Sequence, residues 1–434
     1  MVAVKKLSVF HPIAHWRGME NRFVLALALL TFALWLGASA ILPMLPLYLT
    51  KSGSGSLGVG VVMSAYYIGA VLTQIPAGKL VDAIGPAPVI VSGLCVFGLA
   101  SVSFALIHGI VLAVIFRSLQ GIGAGAVTVA CLGAVSATVE RGRKGASLGM
   151  IYGSQMMATA LGPVIGSIVG TASLRLLFVS AGLLGILTAV FSGFYFFMDT
   201  TAKSIFFRHG LYPGNGADRA AKAPEPIPAL LGTEAAAGEA KNIFFRGYNK
   251  IPFLDKKSKS RFAAGLLAFS VLGYLPGSYE AFWALYLHMR HASSPEIGLS
   301  WTLFALPYAL LAVPAGHLAE HKNKKLLMVI TLVWSGAFAS LYPELHLVPL
   351  IIGLAVFEAM GAVLASPTAT LLISDSVHAS WQGRAQGMAA TLWTLFAGVG
   401  ALLGGALFSV SYGLPFFVLT ALLVLIALFQ LFLL

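Results

Sequence analysis

Pro76-Ala77-Gly78-Lys79-Leu80-Val81-Asp82 returns 238 positions later as Pro314-Ala315-Gly316-His317-Leu318-Ala319-Glu320, and each copy closes a long apolar stretch with a carboxylate. The same shift, without a gap, overlays Leu47-Tyr48-Leu49 on Leu285-Tyr286-Leu287, Gly123 on Gly361, Gly149-Met150 on Gly387-Met388, Gly162 on Gly400 and Gly166 on Gly404. One coincidence of Gly or Leu in an apolar chain carries nothing. A constant register across four hydrophobic segments and a loop is a duplication, and two like-oriented halves in a membrane chain predict a site where the halves meet.

Working outward, 58% of the residues are hydrophobic and only 10% charged, whereas soluble domains carry about 25% charged residues. Apolar runs of the length needed to cross a bilayer fall near 23–50, 58–82, 87–108, 110–138, 145–170 and 174–198, then near 262–288, 297–320, 326–343, 347–374, 384–411 and 413–434. The expected fold is an all-α integral membrane protein of twelve spans in two six-helix bundles, residues 1–198 and 261–434, joined by a linker at 199–260. Lys and Arg are retained on the cytoplasmic side. With the N-terminus inside, all but four of the 27 basic residues are cytoplasmic: Lys51, Arg175 and Arg290 lie outside, and Arg117 lies within a span. The net charge of +12 is therefore a topology signal and not a nucleic-acid footprint, and anionic headgroups are its expected partner.

Ala38-Ser39-Ala40 resembles a small-residue cleavage site, but the apolar run before it is longer than a signal peptide's and continues past it. Cleavage is not expected. Cys95 and Cys131 fall inside spans and read as small packing residues, not a disulfide. The linker carries Pro213, Pro224, Pro226, Pro228, several glycines and most of the charge, a composition unable to build a core. Within it Ile205-Phe206-Phe207-Arg208 recurs as Ile243-Phe244-Phe245-Arg246, two short aromatic-basic pieces suited to the headgroup layer.

The loop Gly78-Lys79-Leu80-Val81-Asp82-Ala83-Ile84-Gly85 resembles the signature of the major facilitator superfamily, in which a glycine, a leucine, an acidic residue and a later glycine lie between spans 2 and 3. The resemblance implies that the acidic residue helps latch the halves in the outward-facing state. That assigns a latch to Gly78, Asp82 and Gly85 and, in the second copy, to Gly316 and Glu320. Ala83 replaces a usual basic residue and Pro86-Ala87 replace a basic pair, whereas the second copy keeps Lys322, Lys324 and Lys325.

In span 4, Arg117, Gln120, Gly121, Gly123 and Gly125 are similar to the family's second motif. A guanidinium in hydrocarbon is a functional candidate by default, and Gln120, three residues on, shares its helix face. Span 5 carries Gly149, Ala158, Gly162-Pro163 and Gly166-Ser167, resembling the signature of exporter and antiporter branches with Ala158 and Ser167 in place of glycine. Small residues allow close helix approach, and Pro163 is expected to bend the span.

Glu280 in span 7, near Tyr274, Trp283 and Tyr286, and Glu358 in span 10 complete the intramembrane charges; the repeat places Glu358 on Gln120. The family fold lines its central cavity with spans 1, 4, 7 and 10, so Arg117, Gln120, Glu280 and Glu358 would all be able to face it and form the proton-coupling and substrate site. Asp375 and Arg384 flank the ends of spans 10 and 11 as a gate pair or an ordinary loop pair. Trp35, Tyr66, Tyr67, Tyr152, Gln155 and Trp393 are candidates to floor a site for amphiphilic molecules.

The resemblance implies a secondary transporter, a proton-coupled drug:proton antiporter working by alternating access, in the plasma or inner membrane. An uptake symporter or facilitator for a sugar, organic anion or other metabolite on the same fold is the alternative, although the sugar-porter pattern after span 6 and the Glu-rich start of peptide symporters are missing. No intramembrane His or Cys cluster of metal-ligand spacing, no nucleophile with a base and no Walker-type loop is present. The expectation is a monomer that is not an enzyme, takes a small-molecule substrate and protons, and uses no cofactor, metal, ATP or nucleic acid.

Overall fold

Hydrocarbon offers no partner for a peptide group, so each apolar run closes its hydrogen bonds within itself as a helix. A computed structural model describes residues 19–106, 109–139, 144–198, 251, 253–255, 257–378 and 381–433. Its first half holds α1 (Met19–Ile41), α2 (Leu45–Lys51), α3 (Ser56–Ile84), α4 (Pro86–Phe104), α5 (Ile110–Thr138), α6 (Lys144–Ala172) and α7 (Leu174–Met198). The second holds α8 (Ser258–Met289), α9 (Ser294–His321), α10 (Lys324–Leu341), a 3-10 turn at Tyr342–Glu344, α11 (Val348–Ser374), α12 (Gln382–Val410) and α13 (Leu414–Leu433).

Among the described residues, eleven stretches are long and apolar enough to cross a membrane, and α9, bent by 55° between Ser294–Leu311 and Pro314–His321, supplies the twelfth. The bend follows Pro307 and Pro314, which remove backbone donors from that helix. The first span, Arg22–Lys51, is interrupted between α1 and α2, where Pro43 cannot donate and Pro46 opens the new helix. By contrast α6 runs unbroken through Pro163. Gly85, at φ 86°, is both the end of α3 and the start of α4; that left-handed turn favours glycine.

The packing repeats with the sequence. Within the first half α1 packs on α6, α3 on α5, and α4 on α5 and α7; within the second α8 packs on α12, α9 on α11, and α10 on α11 and α13. The correspondence reaches single atoms. A Cβ on Gly166 would stand 1.9 Å from the Ala40 carbonyl oxygen, and one on Gly404 would stand 2.9 Å from that of Ser278, the residue 238 positions beyond Ala40.

The halves join through α3 against α12 and α6 against α9. At one end of the bundle these seams are tight: a Cβ on Gly405 would lie 2.5 Å from the Ser56 oxygen and 2.7 Å from the Gly60 Cα, and one on Gly298 would lie 2.5 Å from the Pro163 oxygen. Farther along, Thr302 Oγ1 donates to the Ala160 carbonyl at 2.5 Å and Gln74 reaches Thr391 and Thr394 at 3.4 Å. Toward the other end the seams part: a Cβ on Gly149, Gly153, Gly316 or Gly387 would meet nothing within 4 Å.

Cys95 and Cys131 are free thiols, half-buried and buried. The linker repeats at 205–208 and 243–246 lie outside the described residues, as do Arg141 and Arg143. The linker's end is held against the residues that follow α11: Phe253 bridges Val377 and the Leu254 N–H donates to the Ser376 carbonyl at 3.3 Å. There the Asp255 carboxyl, beside the Arg261 guanidinium and the Ser258 hydroxyl, is kept below the ordinary carboxylate range.

Candidate functional site

A buried guanidinium is costly unless its donors are taken up, and α5 answers this locally. Arg117 Nη1 donates to Gln120 Oε1 at 2.8 Å, and Gln120 Nε2 donates to Ser101 Oγ on α4 at 2.9 Å. The guanidinium carbon stands 4.6 Å from the Tyr66 ring centroid, a cation–π contact. Tyr66 comes this close because Gly121 lets the α3 backbone touch α5: a Cβ there would lie 1.9 Å from the Tyr66 oxygen. Arg117 Nε has no protein partner although it is buried.

Tyr66 packs edge-on against Tyr67, with ring centroids 5.5 Å apart, and Tyr67 meets Trp393 of α12 across the seam at 6.4 Å. On α8, the Glu280 carboxylate lies near enough to Tyr67 and to Arg117 to interact electrostatically with both. Arg117 and Glu280 do not form a direct ion pair. The constellation joins the two halves: a cation and two phenols from the first, and a carboxylate and an indole from the second.

Glu358 sits elsewhere. It is fully buried within the second bundle, where its Oε1 accepts from the Tyr279 hydroxyl at 2.8 Å and its Oε2 accepts from the Tyr342 hydroxyl at 2.6 Å. Tyr342 is itself tied to Tyr286, whose hydroxyl donates to the Tyr342 carbonyl. Beside the carboxylate lies a cavity of about 10 Å³, lined by Trp283, Ser300, Trp301, Phe304 and Ala355 as well as the two tyrosines, room for about one water. The four residues grouped from sequence thus divide: Arg117 and Glu280 share the seam, whereas Gln120 and Glu358 each point into their own bundle.

The tyrosine pair around Glu358 was not read from the sequence. Tyr279 adjoins Glu280 and Tyr342 closes α10, so no short spacing links them to Glu358. The repeat offered the only signal: it pairs Glu358 with Gln120, whose partner Ser101 comes from α4, the counterpart of α10.

Other candidates separate by role. Gly162 and Gly166 let α6 approach Ser39 and Ala40 of α1, while Pro163 and Ser167 face Gly298 of α9; Gly149 contacts nothing that requires a glycine. Among the described residues neither Asp82 nor Glu320 forms an ion pair, and both are exposed. Asp375 pairs with Lys324 at 3.1 Å, and Arg384 instead lies 5.1 Å over the Trp381 ring. Trp35 Nε1 is buried without a partner, and Tyr152 is about half exposed.

Twelve spans in two register-matched bundles, with a charged seam between them, define a membrane transporter of the two-lobed kind. The sequence profile of the Major Facilitator Superfamily matches residues 27–275 and 261–434, and the chain belongs to that family. The chain is 27% identical over 172 residues to the quinolone resistance protein NorA of Staphylococcus aureus, a stretch that covers 40% of this chain and 44% of NorA. Among solved structures, a bacterial homolog of the human lysosomal transporter Spinster, inward-facing and occupied, superposes with a TM-score of 0.72 at 13% identity over 95% of this chain and 96% of that one. The human organic anion transporter MFSD10 superposes with a TM-score of 0.64 at 17% identity over 95% of this chain and 100% of that one. At these identities the structural likeness concerns the fold.

Proposed function

We propose that the chain is a proton-coupled exporter of small amphiphilic, drug-like molecules that works by alternating access as a monomer in the plasma membrane, N-terminus inside. The observation that carries the reading is the seam constellation. Arg117 and Glu280 come from different halves and are linked through Tyr66 and Tyr67, so rocking of one half against the other changes the field at the carboxylate. A carboxylate whose proton affinity follows the conformation can exchange a proton for a substrate. The partial similarity to NorA supports efflux of drug-like compounds, and the aromatic surfaces of Tyr66, Tyr67 and Trp393 suit amphiphiles.

With the basic residues inside, the tight end of the seams faces outward and this conformer is open to the cytoplasm. Asp82 is then a latch in its released position, exposed and unpaired. Glu358, held by Tyr279 and Tyr342 of its own bundle, is an internal carboxylate whose partners stay in place as the halves rock.

The test is substrate uptake into everted vesicles with an imposed pH gradient. Glu280→Gln should abolish gradient-driven uptake while substrate binding to purified protein remains; normal gradient dependence in that variant refutes the coupling role. A second reading, uptake or facilitated movement of an anionic metabolite, draws on the unpartnered Arg117 Nε. Substrate-induced proton release, screened over cationic, neutral and anionic compounds, separates the two readings.

A further inference from the structure

The last turn of α9 gathers His317, Glu320 and His321 at spacings that place all three on one helix face. All are exposed, and one ligand atom from each lies within 4.8 Å of the other two. The imidazole rings stand 4.2 Å apart between centroids, and His321 Nδ1 is 2.8 Å from the His317 carbonyl oxygen. A carbonyl can only accept, so Nδ1 carries the proton and Nε2 keeps its lone pair for a metal, the arrangement that orients ligating histidines. Tetrahedral coordination with bonds of about 2.0–2.1 Å would bring the ligand atoms to about 3.4 Å apart. Rotamer changes in three solvent-exposed side chains close that difference.

The surroundings admit a cation. α9 ends at His321, so the site lies at the negative end of the helix dipole. Three lysines follow, but Lys324 is committed to Asp375 at 3.1 Å and Lys325 Nζ to the Leu431 carbonyl at 2.6 Å; of the three, Lys322 alone has no side-chain partner among the described residues. The loop motif does not require the imidazoles. Its first copy has Lys79 and Ala83 at the equivalent positions and shares only the carboxylate. The cluster lies at the end of a span, outside the intramembrane segments in which the sequence shows no such ligand set.

We propose that His317, Glu320 and His321 bind one divalent transition-metal ion of the zinc, cobalt, nickel and copper group, the class suited to two imidazoles and a carboxylate. A metal held there would withdraw Glu320 from the interface between halves; that consequence rests on the latch reading, whereas the binding does not.

The experiment titrates Co²⁺ into tag-free, full-length protein in detergent, follows the ligand-field absorption, and displaces the Co²⁺ with Zn²⁺. One metal per chain is expected. Affinity should fall by about tenfold or more in H317A and in H321A. H288A/H291A should bind as wild type does. Absence of saturable binding by the wild-type protein, wild-type affinity in H317A/H321A, or loss of binding in H288A/H291A would each overturn the assignment.

Discussion

Gly405→Ala tests whether the tight end of the seam sets the conformational balance. The new Cβ would stand 2.5 Å from the Ser56 oxygen, 2.7 Å from the Gly60 Cα and 2.8 Å from the Gly60 nitrogen. All three are backbone atoms, so no rotamer change relieves the contact. To regain ordinary separation, α3 and α12 must part by roughly 1 Å, and overpacking of this kind costs about 1–3 kcal/mol. A conformer in which that end is open escapes the cost, so the ratio of the two states should shift by about 5–150-fold toward it. Alanine also favours the helix by about 1 kcal/mol relative to glycine. Gly387→Ala, on the same helix with nothing within 4 Å of its Cβ, carries that gain without the clash and is the control. Spin labels at Ser52 and Ser411, in a background with Cys95 and Cys131 replaced, report the distance across the tight end. Gly405→Ala should add a longer-distance population that Gly387→Ala lacks. Superimposable distributions for the two variants would refute the argument.

Asp82→Asn, at a carboxylate exposed in this conformer, should leave stability unchanged but shift labelling of cysteines placed at the two mouths toward cytoplasmic accessibility; an unchanged pattern removes the latch. Glu296 accepts from the Ser293 N–H and Oγ, both at 2.7 Å, at the start of α9, and those bonds hold its carboxyl below the usual range. A lowered folded-state value means that the stabilisation is present above the ordinary glutamate pKa and is lost as the pH falls through the folded one. Glu296→Gln should therefore lower stability at pH 7 by about 0.5 kcal/mol, given the exposure of the group, and by nothing in strong acid. Thermal unfolding at the two pH values reads the difference, and an equal loss at both would sink the assignment.

The span count, the halves and their pairing were legible because hydrocarbon leaves the chain few choices and the duplication fixes the register. The Gly166–Ala40 and Gly404–Ser278 contacts show how far that register extends into packing. The bend in α9 was less legible, although Pro307 and Pro314 stand in the sequence: Pro163 has the same chemistry and leaves α6 unbroken, so the neighbours decide. Membership of the candidate site was legible only in part. A helix fixes which face a residue shares with its neighbours in sequence, as Arg117 and Gln120 show, but not the tilt and rotation that turn the face toward the other half. Glu358 is a mid-span carboxylate just as Glu280 is, and its burial depends on Tyr279 and Tyr342 arriving from two other helices. The imidazole cluster at 317–321 is local and readable from its spacing alone.

The repeat also says why the seam is chemically uneven. Arg117 corresponds to Ala355 in the second half, and Glu280 corresponds to Leu42 in the first. Neither charge is inherited by both halves, and the two therefore face each other once instead of forming two symmetric pairs. Gln120 and Glu358, which do correspond, turn inward to equivalent places and bind within their own bundles. Groups held inside one rigid bundle keep their partners when the bundles rock. A charge on one bundle and a countercharge on the other do not, because their interaction falls with separation and with the entry of water. The departures from the duplication are thus the groups that stand on different bundles, and under the proposed function Glu280, opposite Arg117, is the carboxylate that takes up or releases the coupling proton.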